Sequence, residues 1–342
     1  MGETIKRKTG NREKDKNLED LYVINSRIRL IRNIKNFQFV HSLTNKQKNE
    51  IENHIINLFN NSDFKFLTIE CNNITDNDKN FYKNNFFIDE NFLNRTKRFL
   101  YFEELSTVLL FNEKDHIKLI GINNGLSFNS IFKNIFKIEE FLSNNIKFSA
   151  SVKYGYLSPE IKNCGLGIKF SAMIHLPGIS LNEDKDAIFS DLMQRGYLVK
   201  PFYDNSFYYI ISSNINFGVS EEKLVERFEI GIKNLIELDK NELFQVYNKY
   251  KENSVDTIFR SYGLLKYIKK ISYEESLKNI SNILIGLITD NFYCKKRINI
   301  SDIINKIKDS NIINTGVNIN DIDIIRGNIV RNFINSIGEN NV

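Results

Sequence analysis

The side chains best able to do chemistry in this sequence cluster in one short polar turn, NEKDH. Four of them are hydrogen-bonding or titratable, as in an active-site turn: Asn112, Glu113, Asp115 and His116. Lys114 stands among them, where a site that binds a cation needs a carboxylate. The turn therefore predicts a functional site whose cation-binding side has changed sign.

A second group of charges lies near the start, in the segment INSRIRLIRNI. Apolar and polar residues alternate there, which predicts a β-strand. Arg27 and Arg29 are two residues apart, so a strand directs both to one face. Taken alone, the pair favours a solvated strand face.

Histidine and cysteine give no sign of a metal centre. His116 and His175 have no third ligand at a suitable spacing, so we expect structural roles for both. Three cysteines, Cys71, Cys164 and Cys294, are odd in number and widely separated, which argues against a disulfide framework and a zinc knuckle. A reducing cytoplasm is the compartment that this pattern favours.

Composition indicates a globular chain. Its 342 residues are 42% hydrophobic, enough to fill a core, and the net charge of +5 comes from 47 basic and 42 acidic residues that are interspersed. No basic stripe predicts a nucleic-acid partner, and no apolar run predicts a membrane span. Residues 1–20 mix both charges without an apolar core and are expected to be a disordered lead.

The elements that must position these residues are mixed. After the first strand, SLTNKQKNEIENHIINLFNN has helical spacing, with Ser42 or Thr44 as its cap. FLYFEELSTVLLFN and HIKLIGIN predict an antiparallel hairpin that carries the polar turn. Further helices and strands follow without strict alternation, which predicts an α+β fold on an antiparallel sheet.

The C-terminal third is predicted to be helical from about residue 221, with Ser220 as an N-cap. The polar stretch YKENSVDT interrupts the pattern and predicts a boundary between residues 250 and 256. We therefore expect one domain over residues 21–250 and a small helical domain over residues 256–335.

Four stretches, in order, resemble the ATP:guanido phosphotransferase family, and within it the bacterial protein arginine kinases. They are INSRIRLIRNI, FNEKDHIKL, GYLSPEIKNCGLGIKFSAMIHLPG and QRGYLVKPFYDNSFYYIISSNINFGVSEE. The resemblance runs from residue 21 to about 335. It implies a guanido-kinase catalytic domain with an antiparallel sheet flanked by helices, followed by a small helical domain that serves dimerisation and regulation.

The resemblance also implies ATP or ADP with Mg²⁺ as cofactor, a homodimer, and a partner in the Clp ATPase proteolysis system. Five positions match phosphate-binding arginines of the family: Arg27, Arg29, Lys118, Lys169 and Arg195. Two of the five are lysines here. Lysine keeps the charge but lacks the planar fork that grips phosphate with two hydrogen bonds.

The positions implied to hold the guanidinium acceptor differ more. Lys114 and Lys200 replace two glutamates, and Glu160 replaces the reactive cysteine. Unit charges about 4 Å apart interact by roughly 4 kcal/mol at an effective dielectric of 20, so reversing one contact changes it by about 8 kcal/mol. Because about 1.36 kcal/mol is a tenfold change in rate, we expect impaired catalysis. Lys114 and Lys200 are expected to pair with Glu160.

Two hypotheses follow. The first is a catalytically impaired homologue that binds nucleotide or protein in stress-response proteolysis. The second is an active kinase that phosphorylates protein arginine, or another guanidino group, through a rearranged clamp made from Glu113, Asp115 and Glu160, with Glu90 also available.

A regulatory surface is implied by DIIRGNIVRN, which resembles the family segment that recognises phosphoarginine. Asp323, Arg326 and Arg331 match that segment in part, whereas its leading arginine is Ile322 here. An ordinary amphipathic helix is the alternative interpretation.

Overall fold

The computed structural model describes residues 19–89, 92, 97–204, 206–213, 218–314 and 319–339. Nearly all of the expected disordered lead lies outside the described residues, and so does Glu90. Within the described ranges the chain is mixed α and β, and the predicted α+β class is confirmed.

The strands are β1 Val23–Arg32, β2 Leu67–Glu70, β3 Arg98–Phe102, β4 Thr107–Phe111, β5 Ile117–Asn124, β6 Ala150–Ser151, β7 Gly155–Tyr156, β8 Ile168–His175, β9 Tyr197–Pro201, β10 Tyr208–Ser213, β11 Phe292–Cys294 and β12 Ile337–Glu339. The helices are α1 Glu19–Tyr22, α2 Asn45–Asn60, α3 Asp76–Asn84, α4 Phe128–Asn145, α5 Pro177–Leu181, α6 Lys185–Gln194, α7 Glu221–Lys249, α8 Lys251–Tyr267, α9 Tyr273–Ile288, α10 Ile300–Lys306, α11 Asp309–Ile313 and α12 Ile322–Asn335.

One large antiparallel sheet organises the described chain. Its eight strands run in the order β2-β3-β4-β5-β1-β8-β10-β9. The register places Arg29 of β1 directly opposite Lys169 of β8, and Arg27 opposite Ser171. Since successive side chains alternate between faces, all four of these residues share one face of the sheet.

The other face of the sheet packs against helices. Ile28 and Leu30 of β1 are fully buried in the main core. Gly121 of β5 is paired with Ile28, and a Cβ added to it would lie 2.7 Å from Ile131 of α4. The helix therefore sits directly on the sheet there, and the alternation predicted from the sequence separates the core face from the charged face.

The two predicted helix caps are present. Thr44 caps α2 in a reciprocal capping box with Gln47, so the choice between Ser42 and Thr44 falls on Thr44. Ser220 caps α7 by accepting a hydrogen bond from the backbone N–H of Lys223. Each cap satisfies an amide that the first helical turn leaves without an internal partner.

The predicted boundary at residues 250–256 falls where α7 meets α8. The chain breaks helical geometry only at Tyr250, and the polar stretch then continues as helix because Ile258 lies on its buried side. One hydrophobic core runs through both parts, and Tyr208 of β10 donates a hydrogen bond of 3.2 Å to the Leu277 carbonyl of α9. No helix in the described ranges is long and apolar enough to cross a bilayer.

Candidate functional site

The charged face of the sheet forms one wall of a cleft of about 450 Å³. That volume lies within the roughly 300–1,000 Å³ of small-molecule sites. Its walls come from strands β1, β5, β8, β9 and β10, the turn between β4 and β5, the loop after β7 and the segment after α3. The cleft brings together seven predicted site residues: Arg29, Glu113, Lys114, Asp115, Lys118, Glu160 and Lys169.

Three cations, Arg27, Arg29 and Lys169, lie on the charged face of the sheet. Arg27 donates a hydrogen bond of 3.1 Å to Ser171 Oγ, and Arg29 one of 3.4 Å to Asn163 Oδ1. Burial, aided by Arg29, lowers the pKa of Arg27 to about 10. Arg27 lies on the same face as the cleft but does not line it.

Lys169 is the least compensated of these cations. Burial, together with the neighbouring charges of Arg29, Arg27 and Lys162, lowers its pKa to about 8. Among the described residues no carboxylate pairs with it. Like charges directly opposite each other on neighbouring strands repel, so the Arg29–Lys169 pair destabilises the folded protein. An anion between the two side chains would remove this repulsion.

Lys118 is held differently. Its ammonium forms an ion pair of 2.5 Å with Glu113, and both side chains are largely buried. Burial lowers the pKa of Lys118, and Glu113 opposes that shift. Most of the charge of Lys118 is therefore neutralised inside the protein.

Asp115 ties the polar turn to the loop that carries Glu160. Its Oδ1 accepts hydrogen bonds of 2.7 Å from Asn33 and 2.8 Å from Ser158, and Ser158 in turn accepts one from the Glu160 backbone N–H. Burial raises the pKa of Asp115, which the bonds from Asn33 and Ser158 oppose. The carboxylate therefore acts as a buried tie between two cleft walls.

The acceptor side of the cleft is occupied by an ion cluster. Lys114 Nζ lies 2.5 Å from Glu160 Oε1, and Lys162 Nζ lies 3.5 Å from Oε2. Asn163 donates a hydrogen bond of 3.0 Å to the same Oε2. The hydrogen bond from Lys114 is the main cause that lowers the pKa of Glu160. Both oxygens of this carboxylate are thus engaged by the protein.

The expected pairing of Lys114 with Glu160 is confirmed, but that of Lys200 is wrong. Lys200 is exposed on the edge strand β9, and no ion pair holds it within the described ranges. An edge-strand lysine can extend its ammonium into water, which costs less than crossing the sheet surface to a carboxylate. Lys162 occupies that place instead, two residues along the loop from Glu160.

Arg195 also lies away from the cleft. It follows α6, its side chain is 68% exposed, and it pairs with Asp191 at 2.8 Å. The described structure therefore gives it no contact with the other predicted phosphate residues.

The candidate regulatory residues Asp323 and Arg326 form an ion pair with each other, and Arg326 is buried. Arg326 is 1% exposed, donates hydrogen bonds of 2.8 and 2.9 Å to the carbonyls of Ile307 and Ile271, and pairs with Asp309 and Asp323. These contacts tie α12 to α11 and to the segment before α9. The guanidinium is used by the fold, as in an ordinary structural helix.

Both histidines have structural partners. His116 Nδ1 accepts a hydrogen bond of 2.9 Å from the Ile34 backbone, so Nε2 carries the proton and donates to the Gln38 carbonyl at 2.8 Å. His175 is buried beside Ser281 at 2.6 Å, and burial lowers its pKa to about 3. No cluster that could hold a metal ion occurs in the part of the chain that the structure describes.

Sequence reasoning missed Lys162 and Asn163, which both line the cleft. They lie in the irregular segment between β7 and β8, where neither periodicity nor turn chemistry predicts side-chain direction. Their nearness to Glu160 in the chain was the available signal.

Comparisons with known proteins agree with the fold. Residues 46–242 match the sequence model described as ATP:guanido phosphotransferase, C-terminal catalytic domain. A protein-arginine kinase of Clostridium novyi is 29% identical over 79% of this chain and 81% of its own length, and one of Clostridium perfringens is 26% identical over 93% and 98%.

Two solved structures are similar in fold. The substrate-free duplicated taurocyamine kinase of Schistosoma mansoni superposes with a TM-score of 0.58 at 20% identity, covering 67% of this chain and 35% of that duplicated one. A lombricine kinase superposes with a TM-score of 0.55 at 19% identity, covering 64% and 66%.

Proposed function

This chain belongs to the ATP:guanido phosphotransferase family, and we propose that its cleft binds the phosphates of Mg·ATP or Mg·ADP while phosphoryl transfer to a guanidinium is impaired. It is similar to the protein-arginine kinases over most of its length. Family membership alone does not carry activity, because function depends on the residues of the site.

The observation that carries nucleotide binding is the opposed pair of Arg29 and Lys169. Both cations lie on the cleft wall, and Lys169 pairs with no carboxylate among the described residues. Phosphate oxygens placed between them would relieve the repulsion and restore the charged state that burial disfavours. Arg27, Arg29 and Lys169 would hold the phosphates, and the Mg²⁺ that accompanies them would neutralise part of their charge.

The observation that opposes transfer is the cluster of Lys114, Glu160 and Lys162. A guanidinium acceptor needs carboxylates free to accept its N–H groups, but both oxygens of Glu160 are engaged. An acceptor cation near Lys114 also meets repulsion of roughly 4 kcal/mol at 4 Å and a dielectric of 20. Even a quarter of that, about 1 kcal/mol after solvent screening, approaches a tenfold loss of rate.

We further propose that the chain acts through binding, as a homodimer and as a protein partner in Clp-dependent stress-response proteolysis. The support is its similarity to protein-arginine kinases over their C-terminal as well as their catalytic parts: the Clostridium perfringens relative matches over 98% of its length. The cytoplasm is the compartment that this role requires.

An active kinase for protein arginine is the second candidate. The specific observation in its favour is that Glu113, Asp115 and Glu160 all line the cleft, so acidic groups persist near the acceptor side. Displacement of Lys114 toward water would free Glu160 to accept a guanidinium, since that lysine is already half exposed.

Nucleotide binding is tested by titrating Mg·ADP into the wild type, Lys169→Met and Lys200→Met. Both variants lose one positive charge from the same sheet, but only Lys169 lines the cleft. Lys169→Met is expected to weaken binding at least tenfold, and Lys200→Met to leave it within twofold. Equal losses in the two variants, or no saturable binding to the wild type at millimolar Mg·ADP, would remove this part of the proposal.

A further inference from the structure

A second cavity, of about 200 Å³, shares no lining residue with the cleft. It lies where the end of α3 meets the C-terminal helices. Asn84 and Phe86 line it from the α3 side, Phe202 from the loop after β9, and Tyr273 and Lys308 from the starts of α9 and α11. Its walls thus come from segments distant in sequence.

Lys308 gives this cavity its chemical character. The residue is only 6% exposed, and its Nζ lies 3.3 Å from Asn85 Oδ1 and 5.4 Å from the centre of the Phe86 ring. No carboxylate pairs with it in the described part of the chain, and burial lowers its pKa to about 8. A buried ammonium held only by an amide and a ring lacks the anion that would offset its desolvation.

The other charges around the cavity do not supply that anion. Asp309 lines the cavity, but its carboxylate is paired with Arg326. Lys83 also lines the cavity. Lys308 is therefore a buried cation of the lining that no carboxylate pairs with among the described residues.

The remaining walls are aromatic. Phe86 and Phe202 pack edge to face with ring centres 6.0 Å apart, and Tyr273 completes the lining. Phe86 has a φ of 61°, a left-handed conformation that bulky residues rarely adopt. Backbone strain thus accompanies a ring that lies beside the buried ammonium.

We propose that this cavity is a binding site for a small organic anion, in which one carboxylate or phosphate group meets Lys308 and a flat apolar body lies among Phe86, Phe202 and Tyr273. The volume is below the roughly 300–1,000 Å³ of drug-sized sites, so the body is about one ring in size. The site is independent of nucleotide binding in the cleft.

The test uses three probes with one ring each: benzoate, phenyl phosphate and benzylamine. Binding is measured by calorimetric titration of the wild type, Lys308→Met and, as the matched control, Lys169→Met, which removes a cation of the cleft instead. At least one anion is expected to bind the wild type saturably, at least tenfold more weakly to Lys308→Met and unchanged to Lys169→Met. Benzylamine is expected not to bind.

The preferred head group follows from comparing benzoate with phenyl phosphate. The proposal is overturned if Lys308→Met binds the anions as well as the wild type, if Lys169→Met loses the binding instead, or if neither anion saturates at millimolar concentration. Lys308→Met removes a buried charge and keeps the chain length, so its fold is checked by circular dichroism and melting temperature.

A measurement on the wild type covers the case in which that variant does not fold. The ¹³C resonances of lysine side chains are titrated with and without the anion that binds. Two described lysines have a pKa of about 8, Lys169 and Lys308, and the resonance that Lys169→Met leaves in place belongs to Lys308. That resonance should shift to a higher pKa when the anion is bound, because a neighbouring negative charge favours the ammonium. Lys83 and Asp309 face the same cavity in both titrations, and Tyr273 stays neutral there because burial raises the pKa of its phenol. An unchanged lysine pKa contradicts the proposal.

Discussion

Exchanging the two central residues of the acceptor side for the types that the family resemblance implies should increase phosphoryl transfer. The variant is Lys114→Glu with Glu160→Cys, which removes the 2.5 Å ion pair and leaves one carboxylate free to meet a guanidinium. Repulsion of roughly 4 kcal/mol becomes attraction of similar size at 4 Å and a dielectric of 20.

Solvent reduces that difference, because Lys114 is 52% exposed. If a quarter of the roughly 8 kcal/mol survives, about 2 kcal/mol remains, which corresponds to a rate increase of about 30-fold. The assay incubates each protein with γ-labelled ATP, Mg²⁺ and an arginine-rich unfolded protein, and scores acid-labile label of the phosphoarginine type.

The matched control is Lys278→Glu, which makes the same change of charge on the exposed side of α9, outside the cleft. It should leave the rate unchanged. A double variant that binds Mg·ADP as the wild type does but transfers no faster would refute the reasoning that these charges limit catalysis. The reasoning would equally be refuted if the wild type transferred phosphoryl groups as fast as the double variant.

Three further predictions concern the cleft and the fold. Mg·ADP affinity should be constant well below pH 8 and fall as pH rises through the pKa of Lys169, about 8, because the anion binds the ammonium form. Titrations at pH 7 and 9 should show a smaller fall for Lys169→Arg. Arg326→Met leaves the carbonyls of Ile307 and Ile271 without donors, so urea unfolding should show a loss of about 2–4 kcal/mol with Mg·ADP affinity unchanged. Gly178→Ala puts a Cβ 2.0 Å from the Asp239 carbonyl, and its melting temperature should fall by several degrees, whereas Gly263→Ala, where nothing lies within 4 Å, should not lower it.

Local sequence patterns predict most of the fold. The alternation in β1 predicted which residues face the cleft, and Thr44 and Ser220 were found as caps because a cap depends on the next three residues only. The hairpin of β4 and β5 followed from two apolar runs around a polar turn. These features depend on neighbours in the chain.

The pairing of charges in the site depends on tertiary geometry and was predicted only in part. Glu160 forms an ion pair with Lys114 of the polar turn, as expected, but its second partner is Lys162 rather than Lys200. A resemblance places residues near a site, whereas the reach of a long side chain depends on the loop that carries it. Lys308 illustrates the same limit, since lysine is rarely buried and nothing in its segment predicts a cavity.

The central claim is that nucleotide binding has outlived phosphoryl transfer, and one single-turnover measurement tests it directly. Protein in excess over γ-labelled Mg·ATP is mixed with an arginine-rich unfolded protein, and the label is then separated as bound ATP or acid-labile phosphoprotein. The account predicts that the label stays as intact ATP bound to the wild type and is released from Lys169→Met. Acid-labile label that forms with the wild type and is abolished by Arg29→Ala would contradict it.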